Sequence, residues 1–267
     1  MSRRGSSGSS QPLPIVESLG EAWRLVLGQP GAWFRALLLP IAIELAVTYG
    51  FISLYGPSLA RWAAATPQQV DPLIMLRFLG MQLCLLIAYV LFAVSWHRFA
   101  LLGPAEEPRA VPAVQGRHVR LLLTTVGLSL LPALIVAVPL FLLTLLKIQS
   151  AIVLIGVGVL FFALFVRWQL VFPAIALDRR TSFAESWQRT RGNGIRLFWL
   201  FLLAVLPPAV LSGLVGNLFA EAQAVFMTSG QLSAGAALGY LVGSLFGYLL
   251  IALLVGCLSG AYRRLGG

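Results

Sequence analysis

Long apolar runs separated by short polar connectors are the main feature of this sequence. Each run approaches the roughly 20 residues with which a helix crosses an apolar layer about 30 Å thick. Leu, Ala, Val and Gly fill the runs without the alternation of barrel strands, and backbone amides in lipid must be satisfied within their own segment. We therefore predict an all-α polytopic membrane protein of about six transmembrane helices, near residues 36–55, 74–96, 121–146, 151–166, 197–216 and 235–258.

The segment before the first run has a different pattern. Within residues 15–28, apolar positions recur with the period of one helix face, at Ile15, Val16, Leu19, Ala22, Trp23, Val26 and Leu27. The opposite face carries Glu17, Ser18, Glu21 and Arg24. This pattern predicts an amphipathic helix in the cytoplasmic membrane interface, anchored by Trp23. Residues 1–14 are rich in Ser and Gly, which predicts a flexible cytoplasmic tail before a single membrane domain over residues 15–267.

The basic residues alternate between the connectors. Of the 19 lysines and arginines, only Arg61, Arg77 and Lys147 fall on one side of the predicted bundle. This asymmetry predicts that both termini are cytoplasmic. The formal charge of +10 is compatible with nucleic-acid binding. We expect no such binding, because the arginines flank the apolar runs, where they would face anionic lipid.

Two correspondences suggest an internal repeat of helical hairpins. One has an offset of 164 residues and matches Ser18, Glu21, Trp23 and Gly28 with Ser182, Glu185, Trp187 and Gly192. The other has an offset of 76 residues and matches Gly116, Arg120, Leu121, Leu130, Pro132 and Ala133 with Gly192, Arg196, Leu197, Leu206, Pro208 and Ala209. Ser-x-x-Glu is a capping box at a helix start. The repeats would be parallel, each a cytoplasmic segment followed by a hairpin. Independent use of the same caps by two interfacial helices is the alternative.

Glu44 is the acidic residue that lies well inside a predicted span. A charged carboxylate there costs about 2.5 kcal/mol or more, so it should face the bundle or a wet cavity. In the repeat it aligns with Pro132 and Pro208, and prolines free backbone carbonyls, so this level is predicted to be a broken layer. Glu44 is either a proton or substrate group at mid-membrane, or a packed carboxyl bonded to a neighbouring helix.

The connector before the fifth span is the most polar stretch of the chain. Guanidinium groups bind phosphate bidentately, so this connector is a candidate site for lipid headgroups or phosphate, with Trp187 as a second interfacial anchor. Orientation of the chain and salt bridges within the loop are the alternative roles. The candidate residues are Arg167, Arg179, Arg180, Arg189, Arg191 and Arg196.

Glycines line one face of the last predicted span at four-residue spacing. They are Gly235, Gly239, Gly243 and Gly247. Such a face allows another helix to approach closely. We predict packing within the bundle, with self-association through this helix as the alternative.

No motif for catalysis or cofactor binding is found. His97 and His118 lack a second pair of ligands nearby, so no metal site is expected. Cys84 and Cys257 lie in apolar runs and are expected to be small packing residues, not a disulfide. His-Glu-x-x-His, Gly-x-Ser-x-Gly and the phosphate-cradling glycine motif do not occur. The chain is therefore expected to be non-enzymatic and without a cofactor.

A resemblance to a known family rests on about thirty residues. They are Val166-Arg167-Trp168, Phe172 to Asp178, Ser182, Glu185-Ser186-Trp187, Thr190-Arg191-Gly192-Asn193 and Arg196. This stretch resembles the six-helix membrane domain attached to some bacterial glycerophosphoryl diester phosphodiesterases, and related inner-membrane proteins of unassigned function. The resemblance implies a bacterial inner-membrane location. It does not imply hydrolase activity, because those enzymes carry their chemistry in a separate soluble barrel.

Three functions follow as hypotheses. The leading one is a non-enzymatic membrane module that binds anionic lipid or a membrane partner through the region from Arg179 to Arg196. The second is a transporter or lipid-translocating protein that uses Glu44. The third is a membrane-embedded enzyme, which would need polar groups clustered at one depth.

Overall fold

A computed structural model describes residues 12–64, 71–145 and 151–266 of the chain. Every regular element within these ranges is a helix. The helices are α1 (Ile15–Gly28), α2 (Pro30–Ala64), α3 (Pro72–Leu102), α4 (Gly116–Leu145), α5 (Ala151–Trp168), α6 (Val171–Ala176), α7 (Phe183–Arg189), α8 (Gly194–Ser229) and α9 (Ala234–Arg264). A short 3-10 helix, Gly103–Glu106, follows α3. The all-α class is confirmed for these residues.

Five helical segments are long and apolar enough to cross a membrane. They are Pro30–Arg61, Pro72–Glu106, Ile155–Ala176, Gly194–Ser229 and Ala234–Arg264. Large apolar side chains are exposed along them, as expected where lipid surrounds a bundle. These features identify a multi-pass helical membrane protein. The span expected near 121–146 falls on α4, a 30-residue helix outside these five, and residue 146 lies outside the described residues. Six spans therefore stay a prediction.

The best-packed part of the bundle surrounds α9. This helix forms a hairpin with α8, and α1, α2 and α3 pack against it. At the contact between α3 and α9, Trp96 is fully buried and its Nε1 donates a hydrogen bond to the Ala252 carbonyl at 3.0 Å. Phe92 packs beside Trp96 and reaches the ring of Tyr248 at 5.1 Å. This aromatic layer holds the central helices together.

The glycine face of α9 divides into two parts. An added Cβ at Gly239 would lie 2.6 Å from Phe219 Cβ, and one at Gly235 would lie 3.2 Å from Ala222 Cβ, so both glycines permit close contact with α8. Gly243 and Gly247 are exposed and face open space. Gly235 and Gly239 thus lie against α8 within the bundle, and Gly243 and Gly247 do not. Self-association through the other two stays a prediction.

Helix α1 lies against α9 and α8 through small residues. Ser18, Ala22 and Val26 are its buried positions, and Ala22 touches Gly256 of α9. Ser18 of the predicted polar face is buried, whereas Val16 and Leu27 of the predicted apolar face are exposed, so placement of α1 in the membrane interface stays a prediction. Close approach of two helices selects small side chains over large apolar ones, and periodicity alone does not show this preference.

Charged contacts also hold α1 to the end of α9. Arg264 donates to Glu17 at 2.9 Å and to Glu21 at 2.6 Å. The hydrogen bond and charge of Arg264 keep the pKa of Glu17 below its usual value of 4.5. Glu17 is exposed, so the pair is partly screened by solvent.

The docking of α1 is expected to weaken in acid. A carboxyl whose pKa is lowered by folding contributes stability above its unfolded pKa and loses it as the pH falls through its lower folded value. We expect α1 to become more accessible to amide exchange as the pH falls below about 4.5. Glu17→Gln should flatten this dependence. An unchanged acid response in that variant would show that other groups cause it.

The fold begins before α1. The backbone amide of Leu13 donates to Asn193 Oδ1 at 2.8 Å, and its carbonyl accepts from Arg196 at 3.2 Å. Leu13 is only 1% exposed. Leu13, which lies in the tail predicted over residues 1–14, therefore belongs to the fold. Residues 1–11 lie outside the described part of the chain.

The predicted repeat is matched by some features of the helices and not by others. Residues related by the offset of 164, such as Ala36 with Leu200 and Pro40 with Ala204, are buried in both copies. The caps differ, since Ser182 accepts from the Glu185 amide at the start of α7, whereas Ser18 lies inside α1 and Pro14 precedes that helix. The predicted broken layer was also wrong, because α2 passes Glu44 and α8 passes Pro208 as continuous helices.

Candidate functional site

The arginines of the predicted binding connector have different surroundings. Arg167, at the end of α5, links α5 to the segment around α7 inside the fold. Its Nε donates to Thr190 Oγ1 at 3.1 Å, its terminal nitrogen donates to the Trp187 carbonyl at 2.9 Å, and its guanidinium lies 3.4 Å from the Trp187 ring centre. Gly194 leaves room for the stem of this side chain. Arg167 therefore fixes α7 against α5 through two hydrogen bonds and the Trp187 ring.

Three further arginines of the connector also have intramolecular contacts. Arg189 pairs with Glu185 at 2.6 Å and lies 5.6 Å from the Tyr262 ring. Arg196 binds the Leu13 carbonyl, and Arg191 is exposed but also takes part in a contact. Hydrogen bonds from Arg189 and then Thr181 hold the pKa of Glu185 below its usual range. These contacts support the alternative role of stabilising the loop.

Arg179 and Arg180 differ from the other four. Both are exposed, and within the described residues neither takes part in an ion pair or a side-chain hydrogen bond. They follow Asp178, whose positive φ of 59° turns the chain after α6. The backbone amide of Arg179 donates to the Ala174 carbonyl at 2.9 Å, so the turn is closed onto α6. The two guanidinium groups are thus presented outward from a fixed turn.

Asp178 joins this connector to the preceding basic region. Its carboxylate contacts Arg120 at 2.9 Å, Arg117 at 3.1 Å and Arg98 at 3.9 Å. Arg98 also donates to the Ala176 carbonyl at 3.0 Å. These contacts define one basic end of the bundle, where α3, α4 and α6 meet. This cluster was not predicted from the sequence, although a single Asp beside two dense groups of arginines was a signal for it.

The connector after α3 is closed by two more ion pairs. Arg98 binds Glu106 through two nitrogens, and Arg35 of α2 binds Glu107. Both glutamates therefore have cationic partners. The connector is held to α2 and α3 at the same basic end.

Glu44 has a partner on a neighbouring helix. The Ser244 hydroxyl of α9 donates to Glu44 Oε1 at 2.6 Å, and Tyr248, one turn further along, also interacts with the carboxyl. Glu44 is partly buried, and it lines neither the cavity at Arg98 and Arg117 nor the cavity at His97 and Leu128. This geometry matches the packed-carboxyl alternative. A role in transport stays a prediction.

The two predicted anchors lie partly inside the fold. Trp23 is half-buried against the apolar core. Trp187 is half-buried between Arg167 and Trp168, with the two indole rings 6.2 Å apart. Both residues therefore have packing roles, and their anchoring at headgroup level stays a prediction.

The histidines and cysteines are placed separately. His97 is buried, and its Nδ1 lies 2.8 Å from Ser259 Oγ. His118 lies in the first turn of α4, where its Nδ1 is 3.0 Å from the backbone nitrogen of Gln115. Cys84 is exposed and Cys257 is buried, both as free thiols. In residues 12–64, 71–145 and 151–266, no three His, Cys, Asp or Glu side chains come together as metal ligands.

Comparisons with known proteins add no constraint on this site. No family model, curated protein or solved structure matches the chain. The resemblance to the membrane domain of the phosphodiesterases therefore stays a prediction.

Proposed function

We propose that this chain is a non-enzymatic inner-membrane protein of bacteria that binds anionic phospholipid headgroups at its basic end. The observation that carries the proposal is the exposed pair Arg179 and Arg180. Among the arginines of the connector these two have outward-facing, unoccupied donors, whereas Arg167, Arg189 and Arg196 are engaged. Headgroup phosphates are the abundant anions at a membrane surface, and guanidinium groups match their geometry.

The depth of the pair supports a lipid ligand. The apolar segment Ile155–Ala176 ends three residues before Arg179. Four residues of extended chain reach at most about 14 Å, so both arginines lie within headgroup range of the apolar layer. Phosphates at the membrane surface are thus close to both side chains.

The proposed topology has six spans with both termini in the cytoplasm. The 16 basic residues of one set of connectors favour this orientation, because cytoplasmic loops carry an excess of Lys and Arg. It places the basic end beside the anionic cytoplasmic leaflet. Helix α4 supplies the sixth span by its length of 30 residues.

Neutralising the exposed pair is expected to weaken lipid binding. A basic residue near an anionic surface contributes about 1 kcal/mol, so Arg179→Gln with Arg180→Gln should lower the affinity about 30-fold. The measurement is titration of short-chain phosphatidylglycerol into the detergent-solubilised protein. The matched control is Arg61→Gln with Arg77→Gln, which makes the same charge change at the opposite end. Equal affinities for the exposed-pair variant and the unmodified protein would contradict the proposal.

A further inference from the structure

A small polar cavity lies beside the Asp178 cluster. It has a volume of about 240 Å³ and is an open pocket lined by the end of α3, the 3-10 helix, the connector after it and the start of α4. This volume is below the range of about 300–1,000 Å³ for drug-sized ligands, so the cavity suits a small group. Its polar lining comprises Ser95, Arg98, Glu106, Glu107, Arg109, Gln115, Arg117 and His118.

The buried polar atoms without partners at this cavity are donors. They are Nε and one terminal nitrogen of Arg117, and Nε2 of His118. The Arg117 terminal nitrogen approaches Asp178 at 3.1 Å, but without the alignment of a hydrogen bond. Buried polar groups nearly always have partners, so the two donors without either a hydrogen bond or an ion pair, Arg117 Nε and His118 Nε2, indicate an acceptor-rich ligand.

The protonation of His118 follows from its backbone contact. The Gln115 amide, which can only donate, lies 3.0 Å from His118 Nδ1, whereas the Gln115 carbonyl lies 3.3 Å from the same nitrogen. We assign Nδ1 as the acceptor on the shorter contact. The proton of the neutral ring is then on Nε2, which is buried and has no partner. Burial lowers the pKa of His118. His118, only 7% exposed, is thus a neutral donor at the cavity wall.

The charge balance at the cavity favours an anion. Glu106 and Glu107 line it, but each is paired with an arginine, Arg98 and Arg35 respectively. Arg109 also lines the cavity, is exposed and has no ion pair among the described residues. With Arg98 and Arg117, three arginines and two glutamates line the cavity. The excess positive charge lies beside the unmatched donors.

We propose that this cavity binds a phosphate group through Arg109, Arg117 and His118. A phosphate offers several acceptor oxygens in one small volume, which matches converging N–H donors. The first turn of α4, which begins at Gly116, adds favourable partial charge beside these side chains. The site is distinct from Arg179 and Arg180, and its binding does not require lipid binding by that pair.

The surroundings distinguish two sources of phosphate. Val111 and Val114 are 71% and 70% exposed on the connector that lines the cavity. Apolar side chains in this position gain by entering the acyl boundary of a membrane, which favours a lipid headgroup over free phosphate. We therefore expect a lipid phosphate to bind more tightly than inorganic phosphate.

Two titrations of the detergent-solubilised full chain test the site. One uses inorganic phosphate, followed by phosphorus NMR line broadening, and the other uses short-chain phosphatidic acid. Arg109→Gln should weaken binding at least fivefold and Arg117→Gln at least tenfold. The matched control is Arg120→Gln. Arg120 lies on the same helix as Arg117 and also contacts Asp178, but it does not line the cavity. This control should stay within twofold of the unmodified protein.

The outcomes separate this site from the exposed pair. If Arg109→Gln weakens the binding of either probe, the cavity site is supported. The probe whose binding is weakened then shows whether the site takes a lipid phosphate or free phosphate. Arg109 has no ion pair in the described fold, so its variant remains informative if Arg117→Gln does not fold. Binding that is lost in the Arg179 and Arg180 double variant but retained in Arg109→Gln would overturn the cavity site. Absence of binding of both probes would overturn it as well.

Discussion

Replacing Gly239 with valine is expected to separate the α8–α9 hairpin and to destabilise the protein by about 2–3 kcal/mol. An added Cβ would lie 2.6 Å from Phe219 Cβ and 2.8 Å from the Gln223 amide nitrogen, closer than the atoms can approach. The Gln223 side chain can move, but Phe219 Cβ is fixed to the α8 backbone. The helices must therefore shift. The measurement is equilibrium unfolding in mixed micelles.

The same helix supplies the control for this prediction. Gly243 lies one turn further along α9, and an added Cβ there meets no atom within 4 Å. Gly243→Val should therefore change the free energy of unfolding by no more than about 0.5 kcal/mol. Equal losses in the two variants would indicate a general intolerance of valine in α9, not a contact with α8.

Replacing Arg167 with lysine is expected to cost about 2–4 kcal/mol, although the charge is kept. Lysine cannot donate to Thr190 and to the Trp187 carbonyl from one planar group, and it loses the guanidinium stacking at 3.4 Å from the Trp187 ring centre. Helix α7 would then lose much of its attachment to α5. Unfolding in mixed micelles measures the loss, and Trp187 fluorescence reports the local change.

Arg179→Lys is the matched control for Arg167→Lys. The two residues lie in the same basic connector, but Arg179 is exposed and has no ion pair in the described fold. Its variant should unfold like the unmodified protein. If Arg167→Lys also unfolds like the unmodified protein, the contacts of Arg167 do not stabilise the loop.

The helical membrane class could be predicted because its signal is local. Each apolar run must satisfy its own backbone hydrogen bonds in lipid, so run length and composition are enough to indicate a helix. The helices are longer than the apolar runs. The helix around the predicted span 197–216, for example, covers Gly194–Ser229. Helical hydrogen bonding continues after the apolar sequence ends, and hydropathy does not register it.

The candidate site was harder to predict because its contacts connect distant residues. Arg120 and Asp178 are 58 residues apart, and Leu13 and Asn193 are 180 residues apart. Arginine density made the connector a candidate, but it did not show that Arg167 is engaged while Arg179 is exposed. Ser18 shows the same limit, since its side of α1 became buried through the small residues of α9. Such differences depend on which helices become neighbours.

The placement of α1 has a consequence for biosynthesis. Its partner Arg264 follows Glu17 by 247 residues, so α1 leaves the ribosome long before its docking surface exists. Until α9 has been inserted, the face of α1 that carries Ser18, Ala22 and Val26 is not covered by α9. The lipid surface is then the nearest apolar environment for this face. Completion of the last hairpin is therefore the step that closes the start of the chain onto the bundle.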